Sequence, residues 1–354
     1  MHRDDLIARI REGEMISRVS LAGADLSAAD LSGAVFEEVN LVGANLRGAS
    51  FKESALFDCD LSGAQLDGVV LHNSVVHKTS FVGASLREAR LVAAKLVECD
   101  LGGVDLTGSD LTLVSLTKTT LLGTDLARTN LDRAVFFNGP TLGMSLTGAR
   151  LKQTVLVGAD LTRTSFLGAT IEMAIFTDAN LAGAVFAGMS CAMTQFAGCD
   201  LTGADFTGTT LSRSSFKGAN LTSATLDDAV ADGALFVEAR LIRASLKRAK
   251  LRQALFVDAN LAGADATGAD LYQCAFHRAI CVGTRFNGAE LTYADFSHAD
   301  VSAADFSRST LFRARLHRIK EQDTIWSGRA AALGNDEELA RAEDWRPAAQ
   351  PEER

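Results

Sequence analysis

Large apolar side chains recur at every fifth residue from Leu21 to Leu316, and the register never slips. This makes 60 consecutive units, with Leu at 36 centres and Phe at 16. The other eight centres are Val76, Thr141, Ile171, Cys191, Ala231, Ala266, Cys281 and Val301. Two residues before each centre the side chain is small. Of these 60 positions 34 are Ala, 9 Thr, 5 Ser, 5 Val and 4 Cys, with Gly139, Met144 and Met189 completing the set. Between the small residue and the centre sits a position often filled by Asp or Asn, as in Ala24-Asp25-Leu26 and Ala29-Asp30-Leu31. A helix repeats its apolar face every 3.6 residues and a strand every 2.0, so a period of five fits neither. One large and one small inward side chain per five residues suits a short extended piece followed by a corner.

A second period is superimposed on the first. Nine of the 16 central Phe share one position modulo twenty: Phe36, Phe136, Phe176, Phe196, Phe216, Phe236, Phe256, Phe276 and Phe296. Five more share another, Phe166, Phe186, Phe206, Phe286 and Phe306, and the last two are Phe51 and Phe81. Residues twenty apart therefore share an environment, which predicts four units per turn and a stack of seven rings from Phe176 to Phe296. Of 30 glycines, 25 lie two residues after a centre, which predicts corners that need positive φ or a close backbone approach.

This pattern resembles the pentapeptide-repeat family, whose motif is Ala-(Asp/Asn)-Leu-X-X, over residues 19–318. The resemblance implies an all-β solenoid, a right-handed quadrilateral β-helix with one unit per side. Sixty units give about 15 coils and, at the spacing of neighbouring strands, a rod ~72 Å long. Three segments follow: an N-terminal helical cap at 1–18, the rod at 19–318, and a C-terminal helical tail at 319–354.

A solenoid exposes core and unpaired backbone at its ends. Leu6, Ile7 and Ile10 fall at helical spacing, with Asp4 as the candidate N-cap. In the tail, Asn335 and Glu338 resemble a capping box ahead of Leu339 and Trp345, with Pro347 closing the helix and Ile325, Trp326 and Leu333 as apolar contacts. The tail either docks a partner or a second copy in a homodimer, or caps its own rod; the cap is the expectation. Pro140 is the only proline in the rod, and the register resumes after it, so a local kink is expected at Asn138-Gly139-Pro140-Thr141.

No enzyme is expected. All six Cys lie at inward positions and none forms a C-x-x-C pair, which favours free thiols and a cytoplasmic setting. His72 and His77 point to successive sides, and His277 and His317 lie two coils apart, so neither a metal nor a cofactor is expected. No phosphate-cradling or nucleophile-elbow motif occurs. No run of about 18 apolar residues predicts a membrane span, and the N-terminus lacks the pattern of a secretory signal.

The outward positions carry more information. Each side offers 30 of them, and the side bearing the long Phe stack fills 13 with Val, Ile, Leu, Met or Phe, against 7, 2 and 4 on the others. Its members include Val135, Phe137, Val155, Val157, Ile175, Leu235, Val237, Leu255 and Val257. Such a stripe is expected to bind a protein partner or to pack against another copy of the chain. Arg240, Arg243, Lys247, Arg248, Lys250 and Arg252 form a basic belt that either grips an acidic partner or is solvated surface.

The expected role is a non-catalytic interaction scaffold or adaptor. The segment His317 to Trp345 resembles tails of pentapeptide-repeat proteins that accompany type VI secretion, which implies effector loading. The alternative implied by the family is a B-DNA mimic that binds DNA gyrase and protects it from quinolones. B-DNA carries one charge per ~1.7 Å, so a mimic of this length needs roughly 40 negative charges. Residues 19–318 hold 31 acidic and 26 basic side chains, so mimicry over the whole rod is poor, and direct nucleic-acid binding is disfavoured too.

Overall fold

The computed structural model describes residues 2–345. Helix α1 (Arg3–Arg11) leads into a column of parallel strands on one side of a right-turning coil: β1 (Ile16–Ser17), β2 (Val35–Glu37), β3 (Ala55–Phe57), β4 (Val75–His77), β5 (Lys95–Val97), β6 (Ser115–Thr117), β7 (Val135–Phe137) and β8 (Val155–Val157). Each pairs in parallel with the segment twenty residues on, as Phe36 with Leu56 and Phe136 with Leu156. On the other sides, and on all four after β8, the coils meet mostly through single bridges at the same spacing, such as Asp205 with Thr225; the bridges at Pro140 and those of Ser165 with Val185 and Thr170 with Ser190 are missing. A late pair, β9 (Asp305–Phe306) and β10 (Ile325–Trp326), is followed by a 3-10 turn at Arg329–Ala331 and helix α2 (Glu337–Asp344). This is the expected β-solenoid.

Each element of the motif has a physical task. The centres are buried, and the rings from Phe176 to Phe296 form the expected stack, tightening from 5.5 Å between Phe176 and Phe196 to 4.6 Å between Phe276 and Phe296. Each such pair adds about 0.5–1.5 kcal/mol beyond area burial. The Asp or Asn before the centre closes the corner: Asp205 Oδ1 accepts the backbone N–H of Thr207 at 2.9 Å, and Asp105 does the same for Thr107. Most buried Thr and Cys at the small position satisfy themselves on a nearby carbonyl, as Thr124 donates to that of Leu101 at 2.8 Å and Cys199 to that of Phe176 at 2.9 Å; the hydroxyls of Thr164 and Thr194 have no partner.

Positive φ at the corner proves more general than the glycines imply. The second residue after every centre from Leu21 to Leu316 is left-handed, except Arg163. Most of these are not glycine; Leu113 has φ 61° and Arg243 φ 56°. The coil imposes the conformation, and glycine merely relieves it.

The coil outruns the expected boundaries at both ends. Ile16 is a buried centre paired with Phe36, so the rod begins inside the segment assigned to the N-terminal cap. Trp326, assigned to the helical tail, continues a ring column by stacking on Phe306. About 16 turns result. In α1, Leu6 and Ile10 are buried and Ile7 packs against the core, so this helix closes the first coil. The N-cap residue is His2, without a side-chain cap, and Asp4 sits in the first turn, where its charge meets the helix dipole. In α2 the cap is Asp336, not Asn335: its carboxylate accepts the N–H groups of Glu338 and Leu339. Pro347 lies outside the described residues.

Pro140 leaves a local mark. Thr141 is buried in place of a centre, its hydroxyl held by the Asp160 carbonyl at 2.9 Å, and the register resumes in β8. A Cβ on Gly139 would overlap the Thr119 carbonyl oxygen, which explains the glycine. No helix among the described residues is long and apolar enough to cross a membrane.

Candidate functional site

The nine residues of the expected apolar surface all project from the side built by β7, β8 and the coils that follow. The structure brings them together in two patches. Val135 pairs with Val155, Phe137 with Val157, and Val155 bridges to Ile175, which makes one patch over three coils. Leu235 bridges to Leu255, and Val237 and Val257 flank them on the other edge, which makes the second. Gln195 and Ser215 interrupt the column between Ile175 and Leu235, so the stripe is discontinuous, with ~14 Å between its patches. Val135, Phe137 and Leu235 are exposed, Phe137 at 49%. The other six are half-buried, because parallel neighbours twenty residues apart cover one another's flanks.

The basic belt is half neutralised. Arg248 pairs with Asp228 at 2.6 Å, Lys247 with Asp265 at 3.4 Å and Arg252 with Asp270 at 3.8 Å. All six cysteines are free and buried. Burial pushes the thiols up, to about 11 for Cys59 and about 12 for Cys191, so they rest as protonated apolar side chains.

Five-residue spacing does not reveal one cluster. His298 sits between His277 and His317 as an edge-to-face ladder with ring centroids 5.2 and 5.4 Å apart. Glu343 of α2 meets His298 Nε2 at 3.1 Å and His317 Nε2 at 3.2 Å, and Arg318 joins it at 3.2 Å. These two histidines and Glu343 offer ligand-type atoms within 4.8 Å of one another. The hydrogen bonds set their chemistry. The Asp336 N–H donates to His317 Nδ1 at 3.1 Å, which leaves the proton on Nε2, facing the Glu343 carboxylate. A metal at Nε2 would need the opposite tautomer. The arrangement suits a latch: His317 ties both ends of α2 to the flank of the rod, and Arg318 adds the Ala340 carbonyl at 2.7 Å. Leu339 and Trp345 stay exposed.

The family model for pentapeptide repeats matches in eight copies, in segments that begin at residue 16 and end at residue 320 and leave 134–144, around Pro140, unmatched. The chain belongs to the pentapeptide-repeat family. No protein of curated function matches it in sequence. Among solved structures, a pentapeptide repeat protein from the thylakoid lumen of Arabidopsis thaliana is 33% identical over 26% of this chain and 68% of that one, with a TM-score of 0.23. HetL from the cyanobacterium Nostoc, a pentapeptide repeat protein involved in heterocyst differentiation regulation, is 21% identical over 89% of this pentapeptide-repeat chain and 96% of its own, with a TM-score of 0.20. QnrB1, a plasmid-mediated fluoroquinolone resistance protein, is 22% identical over 53% and 93%, with a TM-score of 0.32.

Proposed function

We propose that this pentapeptide-repeat chain is a non-catalytic scaffold that holds a protein partner along its apolar side. The observation that carries the reading is the pair of outward apolar patches, Val135 to Ile175 and Leu235 to Val257, on a rigid ladder of parallel coils. Apolar outer residues on an ordered, repeating side form a contact surface without any induced fit. The buried, protonated cysteines support the non-catalytic part, since none is placed to act as a nucleophile. An adaptor in type VI effector loading is the finer form of this reading, supported by the tail from His317 to Trp345, and a homodimer through the exposed Leu339 and Trp345 is a further form of it.

The test is affinity purification from the native host with the intact chain and with a variant carrying Val155→Asp, Val157→Asp, Leu235→Asp and Val257→Asp. The variant keeps its circular dichroism spectrum and loses its bound protein. Undiminished recovery of the same partner would refute the reading.

A further inference from the structure

Between the coil of Phe166 and the coil of Phe186, the main-chain ladder is unzipped on two adjacent sides. Below the break Ser145 bridges Ser165 and Arg150 bridges Thr170; above it Val185 bridges Asp205 and Ser190 bridges Thr210. The equivalent bridges of Ser165 with Val185 and of Thr170 with Ser190 do not form. The N–H groups of Phe166, Gly168 and Ile171, and those of Val185 and Ser190, have no main-chain partner. The other two sides stay closed, with Leu161 N–H on Asn180 at 2.8 Å and Phe176 N–H on Gln195 at 2.8 Å. The break is therefore a wedge hinged along one edge of the rod.

Three independent features converge on it. Arg163, the one corner that is not left-handed, lies on its lower lip. A cleft of about 260 Å³ opens between Thr162–Gly168 and Gly183–Met189. The Thr164 hydroxyl lines it, 9% exposed and without a partner, whereas Thr124 and Thr154 at the same motif position donate to carbonyls of the neighbouring coil.

The outward chemistry of this side is equally specific. Of its 30 outward positions only two hold Val, Ile, Leu, Met or Phe, and these are Leu167 and Val185. They stand on opposite lips of the cleft, 76% and 60% exposed. Elsewhere this side is Asp, Asn, Ser, Thr, Arg and similar residues, as in Asp105, Thr107 and Asp125. Unpaired main-chain N–H groups on both lips and an apolar pair beside them match what an extended polypeptide presents: N–H and carbonyl groups alternating along each edge, and side chains on alternate faces.

We propose that this cleft is a binding slot for an extended, apolar segment of a partner polypeptide, which lays its main chain along the mouth of the cleft and a side chain between Leu167 and Val185. The N–H groups of Phe166 and Gly168 donate to its carbonyls, and the Thr164 hydroxyl gains an acceptor. The slot lies on other sides of the rod than the apolar patches, so it stands or falls independently of them.

The probe is an end-blocked peptide of alternating valine and threonine, added to the full chain, with amide hydrogen exchange read by mass spectrometry. At ten times its Kd the peptide slows exchange about tenfold, and it does so in residues 161–171 and 181–191 alone. The double variant Leu167→Asp, Val185→Asp, both solvent-facing and so compatible with folding, abolishes this protection with an unchanged circular dichroism spectrum. The double variant Val155→Asp, Val257→Asp retains it. Absence of protection in the intact chain, protection that survives the slot variant, or equal protection by free benzene, which would mark a small-molecule cavity, would each overturn the proposal.

Discussion

The indole of Trp326 stacks on the ring of Phe306 at 4.5 Å with planes 11° apart, and its main chain pairs with β9 in register. Trp326 is therefore the last ring of the column that includes Phe286 and Phe306, although Glu321 stands where the preceding centre belongs. Trp326→Ala removes this cover. A loss of about 2–4 kcal/mol is expected, toward the low end for a buried aromatic because the indole is half-buried. Denaturant unfolding measures it, and faster hydrogen exchange confined to residues 301–326 shows that the last coil frays first.

Corner strain makes an opposite pair of predictions. Leu113 is exposed and left-handed at φ 61°, so Leu113→Gly stabilises by about 1 kcal/mol. Gly139 has an ordinary φ but faces the Thr119 carbonyl, so Gly139→Ala destabilises by about 1–3 kcal/mol through overpacking. Melting temperatures that move in the same direction for both variants would contradict this assignment of strain.

Acid should loosen the corners. The Ser27 hydroxyl and backbone N–H hold Asp25 below the ordinary aspartate range; Ser32 does so for Asp30, and Ser307 with Asn287 for Asp305. A lowered folded pKa means that the folded chain binds fewer protons than the unfolded one. The stabilisation is complete above the unfolded value of about 4 and is lost as pH falls through the folded values. Calorimetry should give a melting temperature that is flat from neutral pH to about 5 and declines below about 4. A melting temperature unchanged down to strongly acid pH would exclude the Asp corners as a source of stability.

The interior was legible because every coil repeats the same contacts. Twenty-residue spacing alone placed Phe176 above Phe196 and predicted the stack to Phe296, whereas the hydrogen bond by which the Asp before the centre closes the corner shows only in the structure. The ends were less legible, since Ile16 and Trp326 follow the register in single units beside helical sequence. The junction of His298, His317 and Glu343 was not legible at all: it joins the rod to α2, whose contacts have no period. The slot beside Phe166 shows in the sequence only as Leu167 and Val185 on a polar side, because a missing hydrogen bond leaves no mark on residue type.

The scaffold reading is tested most directly by photo-crosslinking in the native host, with a crosslinkable residue placed in turn at Val155, Val257 and, on the polar side, Thr107. The account predicts one and the same protein adduct from Val155 and from Val257, and none from Thr107. Adducts from Thr107 alone, or in equal yield from all three positions, would contradict it.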